Sequence, residues 1–164
     1  MTDQNPENMN EPTDLPDDLI DGYLQGALQV AKTNEELHII DTAKMLGLAA
    51  KKAQRSTESG RLSLYSRLTE STQGTERRGV PPDRTPALAS LILKEIREAL
   101  CKNGARYRTE RKELRDNANM LIGALAMYIA GLLGLQVVVV AALVATILRI
   151  VLKIGVSAFC KMAN

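Results

Sequence analysis

The chain has 164 residues, with 21 Lys plus Arg against 19 Asp plus Glu and a formal net charge of +2, enough for one compact domain or a small domain with an attached segment. With no Trp, one Phe, one His and two Cys, it excludes an aromatic-rich core, a zinc site built from protein ligands, and the dense cysteine framework of a small secreted scaffold. The mean hydropathy of −0.10 averages two unlike ends. Residues 1–21 hold seven acids and no base, residues 118–164 hold three bases and no acid, and the 28 positions 121–148 carry no charge.

Residues 1–16 are rich in Pro, acids and amides and poor in apolar side chains, which predicts an acidic disordered tail. The tail lacks the basic start and apolar centre of a signal peptide. Over 17–55 the pattern predicts a pair of amphipathic helices. In the first, Ile20, Tyr23, Leu24, Ala27, Leu28 and Ala31 fall at three-and-four spacing, and Gly22 and Gly26 weaken it. The second opens on Thr33 and Glu36, the spacing of a capping box, and its apolar side is read as Leu37, Ile40, Ala43, Met45, Leu48 and Ala49. Acids in its first turn and Lys51, Lys52 and Arg55 at its end suit the helix dipole. An antiparallel hairpin turning near Thr33 follows. His38 has Asp41 three positions on but no nucleophile in sequence relation to it, so it is read as an ordinary helix residue.

Residues 56–84 are read as a flexible linker or weak helix, with a brief alternation at Leu62, Leu64 and Ser66. The stretch 85–117 is read as an amphipathic and then basic helix. Thr85-Pro86 supplies an N-cap and N1 pair, and Leu88, Leu91, Ile92, Ile96 and Leu100 form the apolar side. Asn103-Gly104 is a break signal. Arg106, Arg108, Arg111, Lys112 and Arg115 then run up to the oily segment, and the pattern assigns them to lipid headgroups. A nucleic-acid role is disfavoured, because Tyr107 is the only stacking group nearby and no recognition motif accompanies it.

The run 118–159 meets the length criterion for a transmembrane segment. As one helix, 121–148 spans about 42 Å at ~1.5 Å per residue, against ~30 Å of hydrocarbon. Folding at Gly134-Leu135-Gln136 instead gives two arms and leaves basic residues at both ends on one side. The expected fold is therefore all-α: a small cytosolic domain of about three amphipathic helices, then a C-terminal transmembrane hairpin, with a single span as the alternative and 160–164 as a short tail. Ala126, Ala130 and Gly134 on the first arm and Ala141 and Ala145 on the second recur at four-residue spacing, a ridge for membrane helix packing. Continuing the second series gives Thr146, Arg149, Lys153 and Ser157, read as a polar stripe facing a lumen or as the mark of a membrane interface. Cys160 is read as an interfacial thiol open to acylation or inert, and Cys101 as buried or inert.

No catalytic constellation, cofactor loop or metal-ligand cluster stands out, so an enzyme is not expected. The leading expectation is an integral membrane protein whose cytoplasmic helices bind a protein partner and whose membrane segment contacts the bilayer and self-associates as a homo-oligomer. A small oligomeric pore-forming or membrane-permeabilising protein is the alternative, and a membrane-associated nucleic-acid-binding protein is the third.

Overall fold

The computed structural model describes residues 15–52, 58–73, 84–102 and 118–162. The acidic tail up to residue 14, the basic stretch 106–115 and the Asn103-Gly104 signal lie outside the described residues. Among the described residues the fold is entirely helical: α1 (Asp17–Val30), α2 (Asn34–Lys52), α3 (Glu58–Glu70), α4 (Thr85–Cys101), α5 (Ala118–Leu133), α6 (Val137–Ile154) and α7 (Val156–Met162). α6 is the axis, packing against each of the other six helices among the described residues.

Local chemistry sets the helix ends. The capping box forms: the Glu36 N–H donates to Thr33 Oγ1 at 3.2 Å, and Glu36 Oε2 accepts from the Thr33 N–H at 3.2 Å and the Lys32 N–H at 2.7 Å. These bonds satisfy amides that the first helical turn leaves without intrahelical partners. At α4 the N-cap residue is Arg84, and Thr85 is already helical and buried. Arg84 is fixed instead by a two-pronged pair to Glu35, at 2.5 and 2.9 Å, which ties the starts of α2 and α4 together. The apolar run is broken at the position expected for the two-arm reading: Gly134 takes φ +67°, a backbone region costly for residues with a Cβ. The continuous helix over 121–148 is thus replaced by α5 and α6.

Three local readings change. Within 56–84, residues 58–70 form α3, where Leu64 and Leu68, one helical turn apart, are buried while Leu62 is half exposed. An i, i+4 pair needs a helix, whereas the Leu62–Leu64 alternation needs a strand partner, and no strand occurs among the described residues. On α2 the buried face is Ile39, Ile40, Ala43, Leu46, Gly47 and Ala50 rather than the one built on Leu37, Met45 and Leu48, and those three stay exposed. The buried face is the one with small residues, which permits close approach to α6: a Cβ added at Gly47 would lie 3.8 Å from Thr146 Cγ2. Finally, the two cysteines are joined, Cys101 to Cys160, linking the end of α4 to α7.

Candidate functional site: a sheathed apolar helix and its two cations

Fifteen of the eighteen residues of α6 are buried. Its composition is Val, Ala, Leu and Ile apart from Thr146, Arg149 and Lys153, so in water nearly every side must be covered. Among the described residues, α6 alone is long and apolar enough to cross a membrane; α5 is apolar but shorter, at 16 residues. At ~1.5 Å per residue α6 is about 27 Å long, close to the ~30 Å hydrocarbon thickness.

The polar stripe of α6 is accommodated residue by residue. Thr146 Oγ1 donates to the Ala142 carbonyl of its own helix at 2.8 Å, satisfying a hydroxyl that is fully buried. Arg149 is only 4% exposed, and its guanidinium pairs at 2.5 Å with Asp17 Oδ1 in the first turn of α1. That bond, helped by the positive charges of Lys51 and Lys153, holds the Asp17 carboxyl below its ordinary value of 3.8. Lys153 Nζ donates to the Ala50 carbonyl at 2.5 Å, near the C-terminus of α2, where the helix dipole favours a cation. Ser157 sits on α7 and is exposed. The start of α1 and the end of α2 therefore meet at the same end of α6, so the two helices run antiparallel, each meeting one cation.

The opposite end of α6 is fixed differently. Gln136 Nε2 donates to the Val30 carbonyl at the end of α1 at 3.0 Å, and Val138 lies 3.5 Å from where a Cβ on Gly26 would stand. The polar residue at the turn thus caps a neighbouring helix. Beyond α6, Gly155 turns the chain at φ +92° into α7. There Phe159 is fully buried and meets the Tyr65 ring edge-on at 6.4 Å, while the Tyr65 hydroxyl donates to the Met162 carbonyl at 3.2 Å.

The small-residue series is used inside the chain. Ala126 and Ala130 lie on the buried side of α5, Ala141 and Ala145 lie within buried α6, and Gly134 makes the turn. The outward side of α5 exposes Met120, Met127, Tyr128 and Leu132, with Val137 and Val138 following, and it carries no charge. Met127 and Leu132, at 62% and 58% exposure, are among the most exposed large apolar residues described.

Asp17, the Ala50 carbonyl, Tyr65 and the pairing of Cys101 with Cys160 are the parts of this site that the sequence does not announce. Asp17 had one signal, an acid at a helix start, but nothing local linked it to Arg149. Among the described residues no group of three or more His, Cys, Asp or Glu is placed to hold a metal ion. No protein-family profile, curated protein or solved structure matches this chain.

Proposed function

We propose that this chain is a membrane-inserting, membrane-permeabilising helical protein that stores its insertion element as the core of a helical bundle. The observation that carries this reading is α6: a helix of membrane length, buried on all sides, with both of its cations held by the helices that wrap it. In this reading a bilayer replaces α1, α2 and α3 as the cover of α6, with α5 and α6 entering as a hairpin. Release frees Arg149 and Lys153 from Asp17 and Ala50. Two cations inside a membrane favour a shared polar path between copies over contact with lipid. Ala141 and Ala145 then become available as a packing ridge, so self-association follows insertion.

A second reading, a membrane-anchored adaptor, is favoured by one observation. Leu37, Met45 and Leu48 are exposed on α2, at 44%, 71% and 57%, and offer a protein partner an apolar contact. On the side of the membrane, basic residues at both ends of the hairpin favour a cytoplasmic placement of the soluble helices. The Cys101–Cys160 bond persists in oxidising compartments; in a cytoplasm it would alternate with the dithiol.

Flotation and dye release with anionic phospholipid vesicles test the proposal. The full chain is expected to float with the vesicles and release dye. Flotation without release favours the adaptor. A protein that stays in the soluble fraction makes α6 the core helix of a soluble bundle and overturns the proposal.

A further inference from the structure

The disulfide bears on which membrane form is open to the chain. Cys101 ends α4, Cys160 lies in α7, and the bond closes a loop over 59 positions of sequence that contains both α5 and α6. Both cysteines are partly exposed rather than buried, as attack by a small dithiol requires.

We infer that the Cys101–Cys160 disulfide is a redox clamp on membrane topology: oxidised, it restricts the inserted form to a re-entrant hairpin with α4 and α7 on one side, and reduced, it lets α7 follow α6 across. This rests on the insertion reading above. In a hairpin, α5 enters and α6 returns, so Cys101 and Cys160 stay together at the entry face. In a single span by α6, Gln136 stays at the entry face while Gly155 and α7 emerge beyond it. Cys160 is then separated from Cys101 by the ~30 Å hydrocarbon layer, whereas the bond holds their Cα atoms 5.5 Å apart. The intact bond forbids that form.

Length gives the reduced form a reason to differ. α6 spans alone, whereas α5, at 16 residues, falls short of the span criterion. Freed from α4, α7 carries a single charge, Lys161, to the far side. The Gly155 turn, the one departure from helical backbone between α6 and α7, is where the two separate.

Reduction is a two-electron step. A thiolate of a dithiol reductant attacks one Sγ, forming a mixed disulfide and expelling the other sulfur, which takes up a proton. The second thiol of the reductant then displaces the first protein sulfur, which is protonated in turn. The protein gains two electrons and two protons, and the reductant becomes a cyclic disulfide.

The test uses the full chain with a short epitope after Asn164, added to anionic phospholipid vesicles with or without dithiothreitol, followed by external protease. Non-reducing electrophoresis reports the state of the bond. Oxidised protein is expected to float with its epitope fully removed by protease, and reduced protein to show a protected epitope fraction. A Cys101→Ser variant is expected to show the protected fraction with or without dithiothreitol. A protected epitope in oxidised protein, equal removal in both states, or two free thiols in protein prepared under air would each overturn the clamp while leaving insertion standing. Absence of flotation in both states overturns the insertion reading, and the clamp with it.

Discussion

On α5, Met120, Met127, Tyr128 and Leu132 lie at the surface, whereas α6, the next helix of the same apolar segment, has fifteen of eighteen residues buried. α5 is mainly Ala, Leu, Ile, Met and Gly and α6 mainly Val, Ala, Leu and Ile; both are strongly apolar, so hydropathy does not separate them. Position does: α6 is central, with six helices around it, and α5 is one of the six, so only its inner side (Leu121, Ile122, Leu125, Ala126, Ile129 and Ala130) finds protein. Oiliness says that a segment avoids water, and the arrangement of the remaining helices decides whether protein or something else provides the shelter.

Placing a carboxylate on each arm gives the widest separation. Val144→Asp puts an ion at a position with no exposure and no built partner, and it is expected to lower stability by roughly 4 kcal/mol or more, which removes most of a marginal fold. Met127→Asp, at a residue 62% exposed, is expected to shift it by about 0.5 kcal/mol or less. Urea unfolding followed by circular dichroism reads both, and equal losses would abolish the distinction between the arms.

The covalent tie at the far end of α6 comes next. Loop-closure entropy for a bond across 59 positions is worth about 4 kcal/mol in the chain-entropy model. Reducing Cys101–Cys160, or replacing both residues with Ser, is therefore expected to lower the urea midpoint clearly. The loss should fall first on protection of α7 and the C-terminal part of α6 in hydrogen exchange, with the α5 end less affected. A uniform loss would mean that the clasp does not act locally.

A smaller effect tests how α6 keeps a cation in its buried surface. Arg149 lowers the Asp17 pKa below 3.8, so the pair adds stability above that pH, and this contribution disappears as the pH falls through the lowered value. As the pH falls below 3.8 and through the lowered value, the native chain should lose more stability than Asp17→Asn, whose side chain does not ionise. Parallel acid titrations of the two proteins would refute the coupling.

The comparison also shows how far a sequence can be read. The helices α1, α2 and α4, the capping box at Thr33 and Glu36, and the break at Gly134 all follow from spacings within a turn or two. The buried face of α2 does not, because that helix carries two apolar stripes, and the choice between Leu37–Met45–Leu48 and Ala43–Gly47–Ala50 depends on how closely α6 must approach. The site itself was legible only on one side: Arg149 and Lys153 stand out as cations in an apolar run, but Asp17 and the Ala50 carbonyl lie more than 100 residues away. The cysteines were read singly, and no local pattern relates α4 to α7. α3 was obscured because only Leu64 and Leu68 mark its buried side.

The smallest expected change in stability concerns the outward face of α5 and bears most directly on what covers it. Met127→Ser with Leu132→Ser removes apolar surface that is largely exposed in the folded chain, so folding loses little: about 0.5 kcal/mol or less per site. If that face enters a bilayer with α6, the same atoms leave water on insertion, and burying each side chain is worth roughly 1.5–3 kcal/mol. Losing even one such contribution lowers the partition coefficient about tenfold, since ~1.4 kcal/mol is a factor of ten. Vesicle binding should therefore fall at least tenfold while the urea midpoint stays nearly fixed. Unchanged binding would place α5 outside the inserting element and leave α6 to enter alone, whereas a large fall in the midpoint would mean that the outward face is already covered in solution.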